Sequence, residues 1–206
     1  MSRPSQAVLP SLLPLMLVFG ATMPDSADAS LATLTAVMTA DNEFNAFIGL
    51  DPSVPGQEFM SNNVPWTWMN ATTGRYDFVT GGTYYLHVRA HDVDGGIAAM
   101  FLASLSLSSG AAQFLNGSLT LHTDLAHWRV SAPALGQNSS APVSFGDNGS
   151  APWGLIAGIS TQAQHIWSAG TVGDVWFTTE IQVLPAPSAM ILLAIAPLSA
   201  RRRITR

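Results

Sequence analysis

The middle of the chain alternates. In "TYYLHVRA", residues 83–90, Tyr84, Leu86, Val88 and Ala90 fall on one face and Tyr85, His87 and Arg89 on the other, the period of a half-buried strand. The run "IAAMFLASLSL", residues 97–107, groups Ile97, Ala99, Phe101, Ala103, Leu105 and Leu107. In "DVWFTTEIQV", residues 174–183, Val175, Phe177, Thr179, Ile181 and Val183 point one way and Trp176, Thr178, Glu180 and Gln182 the other. Turn signals punctuate these runs: "DPSVPG", "TTG", "TGG", "DVDGG", "SSG", "LNGS" and "GDNGS". Only the two apolar termini read as helices. The pattern predicts an all-β fold, an antiparallel β-sandwich over residues 30–184. Residues 132–154 lack regular pattern and read as a long surface excursion. There is no internal repeat.

Composition adds an unusual surface. Only 10% of the 206 residues are charged, against roughly 25% in average soluble proteins, and all eight basic residues are Arg. Cysteine is absent, which excludes disulfides, thiol nucleophiles and zinc knuckles.

The N-terminus reads as an export signal. After Arg3 comes "AVLPSLLPLMLVFGA", then a polar stretch ending in "ADA" at Ala27–Ala29, the small-x-small form that signal peptidase reads. Residues 1–29 are the expected signal helix, and Ser30 the first mature residue. Pro10 and Pro14 and the lack of amphipathic spacing argue against a buried helix here.

At the other end, residues 188–200 form a 13-residue apolar run ahead of Arg201, Arg202, Arg203 and Arg206. As a helix it would reach roughly 20 Å, short of a hydrocarbon core of about 30 Å. The arginines would act as a cytoplasmic stop. Pro185, Ala186 and Pro187, the short apolar run and the arginine cluster together resemble the PEP-CTERM sorting signal of exported bacterial proteins. Alanine stands where that family usually has glutamate. The resemblance implies that residues 185–206 are a sorting tail with a short hydrophobic helix, transiently anchored in the inner membrane and removed by an exosortase-like protease. It further implies a cell-surface or extracellular protein of bacteria that make exopolysaccharide.

Without both ends, residues 30–184 keep 11 of the 13 acidic and three of the eight basic residues, a formal charge of −8. Such a surface repels nucleic acid and anionic polysaccharide, which leaves neutral polysaccharide and divalent cations as partners.

The order "MTADNEFNAFIG", "VPWTW", "GGTYYLHVRAHDVDGGIAAMFLASLSL" and "LHTDLAHWRVS" is similar to jelly-roll modules related to galactose-binding domains. That resemblance implies a jelly-roll-like sandwich from Thr33 to about Ile181. The sequence departs from the pattern after the first aromatic strand, where "GLDPSVPG" replaces an Asn-Gly hairpin.

Candidate chemistry is sparse. Trp66 and Trp68 in "NNVPWTWMN" could stack on sugar rings, and Tyr85, His87 and Arg89 share one strand face. Trp128 and Trp167 read as core, while Trp176 lies on the outward face. His87 and His91 sit four apart, so both project from the Tyr85 face. Asp92 and Asp94 in "HDVDGG" could contribute oxygens to a structural calcium ion with Asp41, Asn42, Asp77 or Asp124; the competing reading is an Asp-Gly turn. Four Asn-x-Ser/Thr sites, at Asn70, Asn116, Asn138 and Asn148, read as turn chemistry. No nucleophile elbow, zinc helix or phosphate loop is present. The expectation is a non-catalytic, exported surface or matrix protein. A lectin-like carbohydrate-binding module is the alternative, and a hydrolase with an unrecognised carboxylate pair the third reading.

Overall fold

The computed structural model describes residues 31–93, 99–170 and 173–185. The expected signal peptide and most of the sorting tail, Ala186, Pro187 and the arginines included, lie outside them, as do Ile97 and Asp94.

Twelve strands follow one another: β1 (Ala32–Asp41), β2 (Glu43–Gly49), β3 (Gln57–Asn62), β4 (Thr72–Phe78), β5 (Gly82–His91), β6 (Met100–Leu107), β7 (Ala112–Phe114), β8 (Thr120–His122), β9 (Arg129–Ser131), β10 (Val143–Asp147), β11 (Gln164–Trp167) and β12 (Asp174–Val183). Among the described residues there is no helix. The strands form two six-stranded antiparallel sheets. The first runs β10-β11-β6-β1-β4, with β8 also on β6; the second runs β3-β2-β5-β12-β7, with β9 also on β12. The chain changes sheet at nearly every connection, so sequence neighbours face each other across the core.

That core is built by the alternation. The inward sets of β5 and β12 are buried as expected, from Tyr84 to Ala90 and from Val175 to Val183. They meet Leu34, Ala36, Met38, Phe101, Ala103 and Leu105 of the first sheet. Aromatic rings fill the centre: Phe101 stacks on Phe177 with centroids 4.8 Å apart and meets Trp128 edge-on at 5.3 Å. Trp128 and Trp167 are both buried, and the Trp128 indole finds an acceptor in the carbonyl of His122 at 3.0 Å.

Strand β6 departs from simple alternation. Met100 and Leu102, which point away from the core, are also fully buried. They belong to a second apolar cluster with Trp153, Ile156, Ile159 and Ala163, against which Val37 and Trp68 pack. The stretch expected to be a surface excursion therefore contributes a strand, β10, and leads into a segment that covers the outer face of the first sheet. Asn148 holds this cover: its Oδ1 accepts from the Ile156 amide at 2.8 Å and its Nδ2 donates to the carbonyls of Ile156 and Ile159 at 3.1 and 2.9 Å.

The connection "GLDPSVPG" closes β2 onto β3 as a loop over residues 50–56. Asp51 Oδ1 accepts from the Ser53 amide and hydroxyl at 2.8 and 2.6 Å. Gly56 enters β3 with φ +84°, and a Cβ there would run into the Ile48 carbonyl. A glycine is thus required by both backbone and space.

Candidate functional site

The outward positions of β5 and β12 lie side by side on the outer face of the second sheet. Tyr85 pairs with Glu180, His87 with Thr178 and Arg89 with Trp176, while Thr178 is flanked on its other side by Arg129 of β9.

His87 faces outward yet is fully buried, because the loop over residues 50–56 folds down on it. Its Nε2 lies 3.2 Å from the Asp51 carbonyl and its Nδ1 2.9 Å from the Thr178 hydroxyl. A carbonyl only accepts, so Nε2 carries the proton and Nδ1 accepts from Thr178. Burial pushes the His87 pKa down, against smaller opposing effects from Asp51. The neutral imidazole is a strut between loop and sheet, and both its nitrogens are engaged.

Arg89 has a different task from its neighbours. Its Nε and Nη2 donate to Asp174 at 3.1 and 2.9 Å, and His91 Nδ1 lies 2.8 Å from the same carboxylate. Burial raises the Asp174 pKa, but the Arg89 guanidinium and then His91 outweigh it and hold the carboxyl below its ordinary value. This cluster ties the start of β12 to the end of β5. His87 and His91, although on one strand face, serve separate partners.

Tyr85 opens onto a groove of about 510 Å³. One wall is Pro52 and Ser53. Tyr85, Thr178, Glu180, Arg129 and Ser131 line its base, Gly136 lies beside Ser53, Ser139 adds to the lining, and Leu115, Ala126 and His127 close the far side. That far side is held in place from below: the buried Thr179 donates its hydroxyl to the His127 carbonyl at 2.9 Å. Asp124 caps the same turn, accepting from the His127 amide and lying against His127 Nδ1, each at 2.7 Å.

Trp66 and Trp68 are elsewhere. Trp68 packs against the cluster on the outer face of the first sheet, and its carbonyl accepts from the Thr39 hydroxyl at 2.8 Å. Trp66 is 64% exposed, with φ +69°, a backbone region rarely used by bulky residues. The loop bends between the two indoles and offers one free aromatic face, while the other is packed away. Trp68 and the group of Tyr85, His87 and Arg89 consequently lie on opposite faces of the sandwich. Trp176, on the outer face of the second sheet, packs against Phe47 with centroids 5.8 Å apart.

The acidic residues are dispersed. Asp92 is buried at the end of β5, where the Asn42 side chain receives the Val93 amide at 2.9 Å. Asp41 accepts from the Trp153 indole at 3.0 Å, Asp77 from the Thr33 hydroxyl at 2.6 Å, and Asp124 caps its own turn. Among the described residues no group of three or more His, Asp or Glu side chains is placed to hold a metal ion. Three of the four Asn-x-Ser/Thr asparagines organise local backbone: Asn148 as above, Asn116 through the Ser118 amide and Thr120 carbonyl, and Asn138 through the Ala132 carbonyl.

The groove was not legible in the sequence beyond Tyr85, since its lining comes from six separate segments. No family model matches the chain, and no curated protein or solved structure matches it significantly.

Proposed function

We propose that this chain is an exported, non-catalytic surface or extracellular-matrix protein. In this reading its C-terminal tail is a PEP-CTERM-type signal processed by an exosortase-like protease, and its body is a jelly-roll-like sandwich working among neutral exopolysaccharide. The observation that carries the reading is the course of β12. This strand is bonded along its whole length to β5 and on its other side to β9 and β7. It then runs through Leu184 directly into Pro185, the first residue of the sorting motif. Ladder hydrogen bonds lie across the strand direction, so a pull along β12 from the transiently anchored tail, before it is removed, loads many of them together. A tail attached to a central strand suits a chain that is held at the membrane by its C-terminus until that tail is removed.

Glu180 is the one carboxylate among the groove's lining residues, and it accepts from the Gln182 amide. Hydrolysis of a glycosidic bond ordinarily uses two opposed carboxylates.

Fractionation of the native cells tests the proposal. Protein recovered at the cell surface or in the medium supports it, and protein confined to the cytosol overturns it.

A further inference from the structure

We propose that the groove on the outer face of the second sheet binds a neutral oligosaccharide, with Tyr85 as the stacking surface and Arg129 and Glu180 as its hydrogen-bonding pair. The inference deepens the reading above, resting on it only for the presence of polysaccharide around the folded body. It moves the recognition surface away from Trp66 and Trp68.

Size and shape come first. About 510 Å³ falls within the range of small-ligand sites. The concavity is mostly apolar in surface, with the Tyr85 ring in its base and serine and threonine side chains set among the apolar groups, which suits a ligand that is apolar on its ring faces and hydroxylated at its edges. Sugars have that anatomy, with C–H faces that pack on aromatic rings.

Both walls are fixed before a ligand arrives. His87 fastens the Pro52–Ser53 wall to the sheet through Asp51 and Thr178, and Thr179 with Asp124 fastens the His127 wall. Little loop ordering is left to oppose binding. Tyr85 itself lies nearly parallel to the ring of its strand neighbour His87, with 16° between planes and 6.1 Å between centroids.

Unspent polar groups remain where a ligand would sit. The Tyr85 hydroxyl, the Arg129 guanidinium and the Ser139 hydroxyl have no hydrogen-bond partner among the described residues, whereas Arg89 donates through Nε and Nη2 to Asp174. Tyr85 and Glu180 are direct cross-strand neighbours, and Arg129 lies one strand beyond, opposite Thr178. An arginine donates and a carboxylate accepts, so together they can address the vicinal hydroxyls of a sugar from both sides. Their charges cancel within the groove, while the surrounding body carries −8. A polyanion is disfavoured by that field and a neutral glycan is not.

The test uses the full chain purified in mild detergent. Affinity electrophoresis is run in gels containing β-glucan, xylan, galactan, mannan or dextran, with alginate as an anionic comparison. Retardation by at least one neutral polysaccharide is expected. Tyr85→Ala and Arg129→Ala should each weaken it by about tenfold or more, with melting temperatures unchanged, and Trp66→Ala should leave it intact. Retardation by alginate alone, retardation surviving both groove variants, loss in Trp66→Ala, or no retardation by any neutral polysaccharide would each overturn the proposal. So would self-association through the groove, seen as an apparent mass that grows with concentration and collapses in Tyr85→Ala. Because binding is measured on purified protein, its failure leaves the export reading standing, and a cytosolic location leaves a positive binding result standing.

Discussion

The indole of Trp153 lies over the imidazole of His165, with ring centroids 5.1 Å apart and planes 36° apart. His165 is fully buried on the outer side of the first sheet, and neither ring nitrogen makes a hydrogen bond to another side chain or the backbone. Burial pushes its pKa down; the nearby Gly146 backbone and the Asp147 charge favour the proton more weakly. His87 and His122 are also lowered by burial.

The sign of the pH dependence follows. An unfolded chain protonates these histidines near pH 6.5, whereas the folded chain holds them neutral to lower pH. The unfolded state therefore binds more protons below about pH 6.5, and stability must fall on acidification there, by up to about 1.4 kcal/mol per pH unit for each group. Thermal melts should be nearly flat from pH 8 to 7 and drop between pH 6.5 and 5. His165→Phe, which cannot take up a proton, should give a shallower acid limb. An acid limb as steep as that of the unaltered chain would remove His165 from the explanation.

Asn148 should behave as the clasp of the segment over the first sheet. Asn148→Ala leaves the buried Ile156 amide and the Ile156 and Ile159 carbonyls without their partner, at a cost of about 1–3 kcal/mol. Limited proteolysis should then cut within residues 149–163 at a protease concentration that spares the unaltered chain. Equal resistance of the two would mean that Trp153, Ile156 and Ile159 hold the cover unaided.

Gly56→Ala should damage the loop that covers His87. The φ of +84° and the collision with Ile48 predict a loss of more than about 1 kcal/mol, together with weakened polysaccharide retardation, since Pro52 and Ser53 would shift. Melting and affinity electrophoresis on the same sample check both parts.

The aromatic centre and the exposed indole should differ sharply. Phe177→Ala removes a ring packed on Phe101 and Trp167 and should cost about 3–5 kcal/mol. Trp66→Ala should change stability by no more than about 0.5 kcal/mol, because most of that side chain is already in solvent. Urea unfolding of the two variants gives the comparison.

How much the sequence reveals depends on what each face of a strand meets. β5 and β12 read cleanly because one face is core and their polar positions lie on the other. Even there, His87 shows how a polar outward position can be buried when a loop folds over it, which alternation cannot signal. β6 was legible only on one face: Met100 and Leu102 are buried by residues some fifty positions further on, and an apolar outward residue looks the same whether solvent or a loop covers it. Trp153 carried no helical or strand period, so its burial depends on Asp41 and His165, which only the fold brings near it. Tyr85 could be placed on an outward face from spacing alone. Its groove could not, because Pro52, His127 and Ser139 reach it through three different loops.

The central claim is that the sandwich works outside the cell after both apolar ends are removed. Intact-mass and terminal-peptide mass spectrometry of the protein from its native cells tests this most directly. The account predicts an N-terminus at Ser30 and a C-terminus that lacks Arg201, Arg202 and Arg203. A full-length chain carrying Met1 and Arg206 would contradict it.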